Sequence, residues 1–207
     1  MTSPSYKHPL FADLDDAYEL VTDLWEGTQA MRDAGTVYLP REPEESLPNY
    51  NARLDRTVLF PAYKNAVLST VGKLYTRDIV IENATPQMLD LLENIDEDNN
   101  NIEVFAQAAT RSAIQYGCSY VLIDYPIINT NGSLADEIAS GAQPYWVLID
   151  APQVLEASAV KAPGGKNVLG RFRFMINVAY RKSEYEVEFR ETVKEFIKQD
   201  SGIITYS

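Results

Sequence analysis

Tyr120-Val-Leu-Ile-Asp-Tyr-Pro126 and Trp146-Val-Leu-Ile-Asp-Ala-Pro152 are two versions of one phrase, and their reading decides the fold. Each has an aromatic residue, a Val-Leu-Ile run, an aspartate, a spacer and a proline. A continuous apolar run of this length, closed by a turn signal, predicts a strand buried on both faces. Proline ends the strand, because it cannot donate to a sheet ladder and holds the preceding residue extended. Asp124 and Asp150 are thereby placed at the ends of two central strands. If those strands were parallel neighbours, the aspartates would stand where open α/β sheets bind ligands. The connection between the strands, with a helical stretch at 133–140, is near the minimum for a parallel crossover and long for a hairpin. Both directions are therefore open.

Upstream, Leu14, Tyr18, Val21, Trp25 and Thr28 fall at helical spacing and predict a helix over 9–33, stopped by Gly35. A proline-rich acidic loop runs to Pro48. Leu54, Val58, Ala62, Val67, Val71 and Leu74 predict a second helical stretch over 51–77, which Pro61 should kink or split. Ile79-Val-Ile81 is expected as a short strand. Pro86 opens a short helix through Ile95, and Ile102, Phe105, Ala109, Ala113 and Tyr116 mark another that stops at Gly117. Asn100 and Glu103 have capping-box spacing.

Downstream, Pro163-Gly-Gly-Lys166 reads as a hairpin-like loop and 168–180 as a strand. Residues 185–190 suit strand or helix, 191–198 a short amphipathic helix, and 203–206 a strand. Because that last strand meets the end of the sequence, a longer natural protein is expected. The whole is expected to be α+β: N-terminal helices on a small mixed sheet over 1–155, and a β-richer continuation over 156–207.

The chain has 207 residues, 45% of them hydrophobic and 13 of them Tyr, enough to build a core. No apolar run approaches the roughly 20 residues of a membrane span, and no partnership with a membrane is expected. The N-terminus lacks the apolar stretch of a secretion signal. The single cysteine, Cys118, cannot form an internal disulfide. A net charge of −12, with basic residues scattered, argues against gripping nucleic acid through its phosphates.

Asp124 and Asp150 are the residue types for a divalent cation or for acid–base work. Such a site wants a third ligand, and the one histidine, His8, is expected in a mobile tail. The plainer reading is that each aspartate caps its own turn. Asp96-Glu-Asp98-Asn-Asn100 opens like an EF-hand loop, but Asn101 replaces the required glycine and Gln107 the bidentate glutamate. Gly164-Gly-Lys166 lacks the P-loop spacing. Cys118 has no histidine partner in a structured segment. Asn131-Gly-Ser133 has the form of a glycosylation sequon but reads as a turn. No residue is assigned a catalytic, cofactor-binding or metal-binding role, no cofactor is expected, and the chain is expected not to be an enzyme.

Taken in order, several segments form a set. They are Trp25-Glu-Gly27, Gly35-Thr-Val-Tyr-Leu-Pro40, Tyr50-Asn-Ala-Arg53, Tyr63, Thr70-Val-Gly-Lys-Leu-Tyr75, Asn94-Ile-Asp96, Phe105-Ala, Gly117 through Pro126, and Gln143-Pro-Tyr145. This succession resembles the N-terminal half of portal proteins (head–tail connectors) of tailed bacteriophages and prophages. The resemblance covers about residues 15–155. It departs from the pattern at Asn99–Asn101, where a glycine is usual, and after Asp150. It implies a structural virion protein, assembled in the host cytoplasm, that supplies a wing-like region of a ring, usually of twelve subunits, at one capsid vertex. It further implies contacts with copies of itself, a terminase motor, capsid and tail-adaptor proteins. DNA would pass through the channel without sequence-specific binding. The alternatives are a metal-dependent phosphoryl-transfer or hydrolase domain using Asp124 and Asp150, or another head-completion or tail-adaptor protein.

Overall fold

The twin phrases pair with each other. In a computed structural model that describes residues 3–126, 141–162, 164–198 and, as backbone, 204–206, β1 (Ser119–Asp124) and β2 (Tyr145–Asp150) form a two-stranded antiparallel ribbon. Ser119 stands opposite Asp150, and Asp124 opposite Tyr145. The expected burial on both faces is not met: Val121 and Ile123 are exposed, whereas Ile149 is buried. An antiparallel pair can leave one face in water, which a parallel central strand cannot. The stretch at 133–140 and the sequon at 131–133 lie outside the described residues.

The chain is α+β and divides into two compact units, Asp16–Asn83 and a unit made of Met1–Asp15 with Ala84–Ser207. The division expected between 155 and 156 falls inside β3 (Val154–Lys161). Among the described residues, no helix is long and apolar enough to cross a membrane.

The 16–83 unit is helical. The helix expected over 9–33 is three: α1 (Pro9–Ala12), α2 (Asp15–Glu26) and α3 (Thr28–Ala34), α1 belonging to the other unit. Gly27, at φ 91° and ψ −136°, makes the break between α2 and α3 in a backbone region that side-chain-bearing residues avoid. As Pro61 required, the next stretch is split into α4 (Leu47–Arg56) and α5 (Ala62–Leu74). Ile79-Val-Ile81 is not a strand, and all three residues are exposed. Tyr18, Ala30, Met31, Tyr50, Val67 and Val71 are the buried apolar residues of this unit. Arg32 donates from Nε and Nη2 to the Thr57 carbonyl at 3.2 and 3.1 Å, and the Leu59 amide donates to Thr28 Oγ1 at 3.1 Å. These bonds tie the α4–α5 connection to α3.

In the larger unit, α6 (Pro86–Glu93) leads through a turn into α7 (Ile102–Tyr116), which Gly117 ends in the left-handed conformation. The N-cap of α7 is Asn101, whose Oδ1 accepts from the Val104 amide at 3.0 Å; the Asn100–Glu103 box is not formed. The second sheet runs β3–β4–β5–β6, all antiparallel, with β4 (Asn167–Arg181), β5 (Val187–Lys198) and β6 (Ile204–Tyr206). The helix expected over 191–198 is thus strand. Glycines 164 and 165, both at positive φ, turn β3 into β4 as their spacing suggested. Gly170 sits at a bulge where any Cβ would lie 2.3 Å from Val160.

The core of this unit is Ile149, Val154, Phe172 and Phe174, with Tyr120, Leu122, Val147, Phe196 and Phe11 packed around it. Successive strand residues face opposite sides, so Phe172 and Phe174 look into this core while Arg171 and Arg173 look away. Phe172 and Phe174 lie 5.5 Å apart, and Phe174 stacks on Phe196 at 6.2 Å.

Candidate functional site

The first question is whether Asp124 and Asp150 share a site. The antiparallel register puts them at opposite ends of the β1–β2 ladder, five residues apart along it. At the rise of an extended chain that is about 17 Å, too far for one cation or one proton relay. Each aspartate has local work. Asp150 accepts from Ser112 Oγ at 2.5 Å and from the Gln153 amide, while Gln153 Oε1 accepts from the Asp150 amide at 2.8 Å. This reciprocal box caps the turn Ala151–Gln153 and fastens it to α7. Asp124 accepts from the Tyr125 amide at 2.9 Å and the Tyr145 hydroxyl at 3.2 Å, with Lys194 Nζ at 3.7 Å.

Asp96 likewise serves its own turn. Its Oδ1 accepts from the amides of Asp98 (2.9 Å) and Asn100 (3.2 Å), and its Oδ2 from Asn100 Nδ2 (2.7 Å). Burial alone would raise its pKa, but these hydrogen bonds outweigh it and hold the carboxyl below the ordinary value. Glu97 and Asn99 supply the positive φ that a glycine would otherwise provide. Cys118 is half-buried, its Sγ 3.9 Å from the Tyr120 hydroxyl.

His8 is not in a free tail. Its backbone amide donates to the Leu155 carbonyl at 2.8 Å, its Nδ1 accepts from the Leu10 amide at 3.3 Å as the N-cap of α1, and its ring meets Phe11 edge-on. It belongs to a strap, residues 3–12, laid on the sheet of its unit. The seat of this strap is the most developed polar arrangement in the larger unit. Glu156, Arg173 and Glu195 stand directly opposite one another across β3, β4 and β5. Arg173 is only 8% exposed. It donates from Nε to Glu156 Oε2 at 2.9 Å, from Nη1 to the Pro4 carbonyl at 2.7 Å, and from Nη2 to the Tyr6 carbonyl at 3.0 Å. Beside it, Arg171 Nε donates to Glu195 Oε1 at 2.6 Å, which raises the already high pKa of that guanidinium. Lys7 Nζ donates to the Pro152 carbonyl at 3.2 Å and pairs with Asp15.

A buried guanidinium must satisfy its donors, and here two of its acceptors are main-chain carbonyls of the strap, at and just after a turn closed by the Tyr6 amide on the Ser3 carbonyl. What the arrangement does chemically is hold the chain's own N-terminal strap by its main-chain carbonyls. A cavity of about 460 Å³ lies beside the strap, lined by Ser3, Tyr6, His8, Glu156, Arg171 and Glu195 among others. From the sequence, Arg171 and Arg173 were only scattered basic residues, and Glu156 and Glu195 carried no signal. The register that brings them together includes a bulge between Val154 and Glu156, which no local pattern announces.

A different surface is made by the far half of the β4–β5 hairpin. From Ala179 to Glu191 every residue is exposed, and these include Tyr180, Tyr185 (91%), Val187 and Phe189 (70%). Ala179 stands opposite Phe189 and Arg181 opposite Val187, which gives this ribbon one largely apolar face. Exposed apolar groups gathered on one element mark contact surfaces rather than catalytic ones.

Comparison of the sequence with models of protein families and with curated proteins gave no match.

Proposed function

We propose that the chain is a subunit of a portal ring of a tailed bacteriophage or prophage, a structural protein through which DNA is packaged and ejected and to which the tail attaches. The observation that carries this reading is the ordered set of segments from Trp25 to Tyr145, with Gly117 through Pro126 as its most distinctive member. Three features of the structure support it. The α+β architecture suits a wing-like region. The exposed Val187 and Phe189 on one face of the β4–β5 hairpin, with Tyr185 at its turn, offer a surface for another protein. The carboxylates that would serve the rival hydrolase stand far apart and are spent on turns.

Copies of the chain are the first partners in this reading, with the packaging motor, capsid and tail adaptors docking on the assembled ring. ATP chemistry belongs to the motor. The site of action is the portal vertex of the virion. Mass photometry of the natural protein at micromolar concentration tests the proposal: it expects one dominant species at a fixed high multiple of the subunit mass. A population of monomers and dimers alone refutes it.

A further inference from the structure

We propose that the cavity between the 94–100 turn, α7 and β2 is a recognition pocket for an arginine residue of a partner protein. This goes beyond the ring reading and does not depend on it.

The cavity measures about 290 Å³ and lies wholly within the larger unit. Much of its lining is apolar. Phe105, 5% exposed, meets Trp146 edge-on at 5.5 Å, and Val104 and Ala108 of α7 extend the wall. The polar part of the lining consists of acceptors that local bonding leaves over. Asn100 donates from Nδ2 to Asp96 Oδ2 at 2.7 Å, which leaves its Oδ1 without a donor. Asp98 donates its amide to Asp96 Oδ1, while its own carboxylate holds no hydrogen bond among the described residues. Asp96, whose carboxylate is occupied by its own turn, adds a second negative charge.

Leu148 brings main chain to the same cavity. Along the outer edge of β2, the Trp146 amide donates to the Ile95 carbonyl at 2.8 Å and the Asp150 amide to Gln153 Oε1 at 2.8 Å. Leu148 stands midway between them, so its amide and carbonyl point the same way, off the β1 ladder. Neither has a partner among the described residues. One position of an otherwise capped edge is thus open, and it is the position that faces Asp98 and Asn100 across the cavity.

This lining defines its ligand. The apolar wall suits an aliphatic stem, and the surplus of acceptors suits a head made of donors. A guanidinium carries five donors and no acceptor, and its plane lies well against aromatic surface. The Asp98 carboxylate, Asn100 Oδ1 and the Leu148 carbonyl would share those donors. The Leu148 amide needs an acceptor of its own, which the main-chain carbonyl of a peptide supplies and an isolated cation does not. Among the described residues, no three His, Cys, Asp or Glu side chains gather as metal ligands, which separates this pocket from a metal site. A chain of net charge −12 also draws basic partners toward it.

The test titrates the full chain, as Trp25→Phe so that Trp146 is its sole tryptophan, with a blocked peptide carrying one arginine between glycines. The proposal expects a saturable change in Trp146 fluorescence and a shift of the Leu148 amide resonance in NMR. Replacing the arginine of the peptide by citrulline, neutral and of the same shape, should weaken binding about tenfold. Asp98→Asn should weaken it about fivefold. Ala108→Leu, which narrows the cavity without altering its charge, should abolish the response. Should that variant fail to fold, Val104→Lys, at a position 50% exposed, sets a cation at the cavity and should abolish it equally. No saturable response up to about 10 mM peptide, equal affinity for the arginine and citrulline peptides, or unchanged affinity in Asp98→Asn overturns the proposal and leaves the ring reading standing.

Discussion

Replacing Arg173 by Met is the sharpest perturbation of the larger unit, because it keeps most of the stem and deletes the charge. The side chain is 10% exposed, and that of its partner Glu156 13%. Removing one partner of a buried ion pair costs about 3–5 kcal/mol, chiefly by leaving the other charge unpaired. Glu156 here keeps a hydrogen bond from Ser158 Oγ at 3.1 Å and lies 4.0 Å from Arg171. The expected loss is therefore at the lower end, about 3 kcal/mol. The assay is urea unfolding followed by Trp146 fluorescence in a Trp25→Phe background, which reports the larger unit alone. Adding Glu156→Gln removes the stranded charge and should recover at least about 1 kcal/mol, as coupled neighbours do. Limited proteolysis should cut within residues 3–12 sooner in the single variant, since two of the strap's anchors are gone. A loss below about 1 kcal/mol, or strictly additive single and double variants, would refute the claim that this pair is a buried, coupled unit.

Three other consequences follow from named contacts. Tyr50 is 5% exposed and its hydroxyl, among the described residues, is a buried polar atom with no hydrogen-bond partner, so Tyr50→Phe should leave stability unchanged or raise it by about 1 kcal/mol in thermal unfolding. Asp150→Asn should lower stability by about 1–2 kcal/mol, through the weakened cap and the Ser112 bond, whereas Asp124→Asn, at a residue that caps no helix and pairs with Lys194 only at 3.7 Å, should cost less than about 1 kcal/mol; calorimetry of the two variants orders them. Tyr38 donates to Asp23 Oδ2 at 2.7 Å, and that hydrogen bond, with burial and the nearby carboxylates of Asp23 and Glu19, pushes its pKa up to about 12. A folded-state pKa raised in this way adds stability that is complete below the ordinary value of 10 and is lost as pH rises through 12. Absorbance titration at the tyrosinate band should therefore show a late-ionising component that Tyr38→Phe reduces by one tyrosine.

Much of the helical half was legible because its punctuation is local. Pro61 splits α4 from α5, Gly35 and Gly117 end helices, and Pro86 starts one. Gly27 carried the same kind of signal and went unread inside an otherwise periodic stretch. The failures share a cause, which is that strands need partners and local pattern does not supply them. Ile79-Val-Ile81 has strand composition and no neighbour to pair with. Thr192 with Phe196 and Val193 with Ile197 have helical spacing, yet the long ladder from Arg181↔Val187 to Arg171↔Ile197 took precedence over it. The Val-Leu-Ile runs identified β1 and β2, but an apolar run does not reveal whether both its faces are covered. Direction was equally hidden, and it is direction that separates Asp124 from Asp150. The strap seat was invisible for the strongest form of this reason: its parts, from Pro4 to Glu195, meet only in the folded unit.

The claim on which the functional account turns is that copies of this chain, within the natural protein, close into a ring around a channel. Negative-stain electron microscopy of that protein at micromolar concentration measures it most directly. The account predicts closed rings of uniform diameter with a central channel in end-on view. Uniform monomers, two-fold dimers without a channel, or open filaments would contradict it.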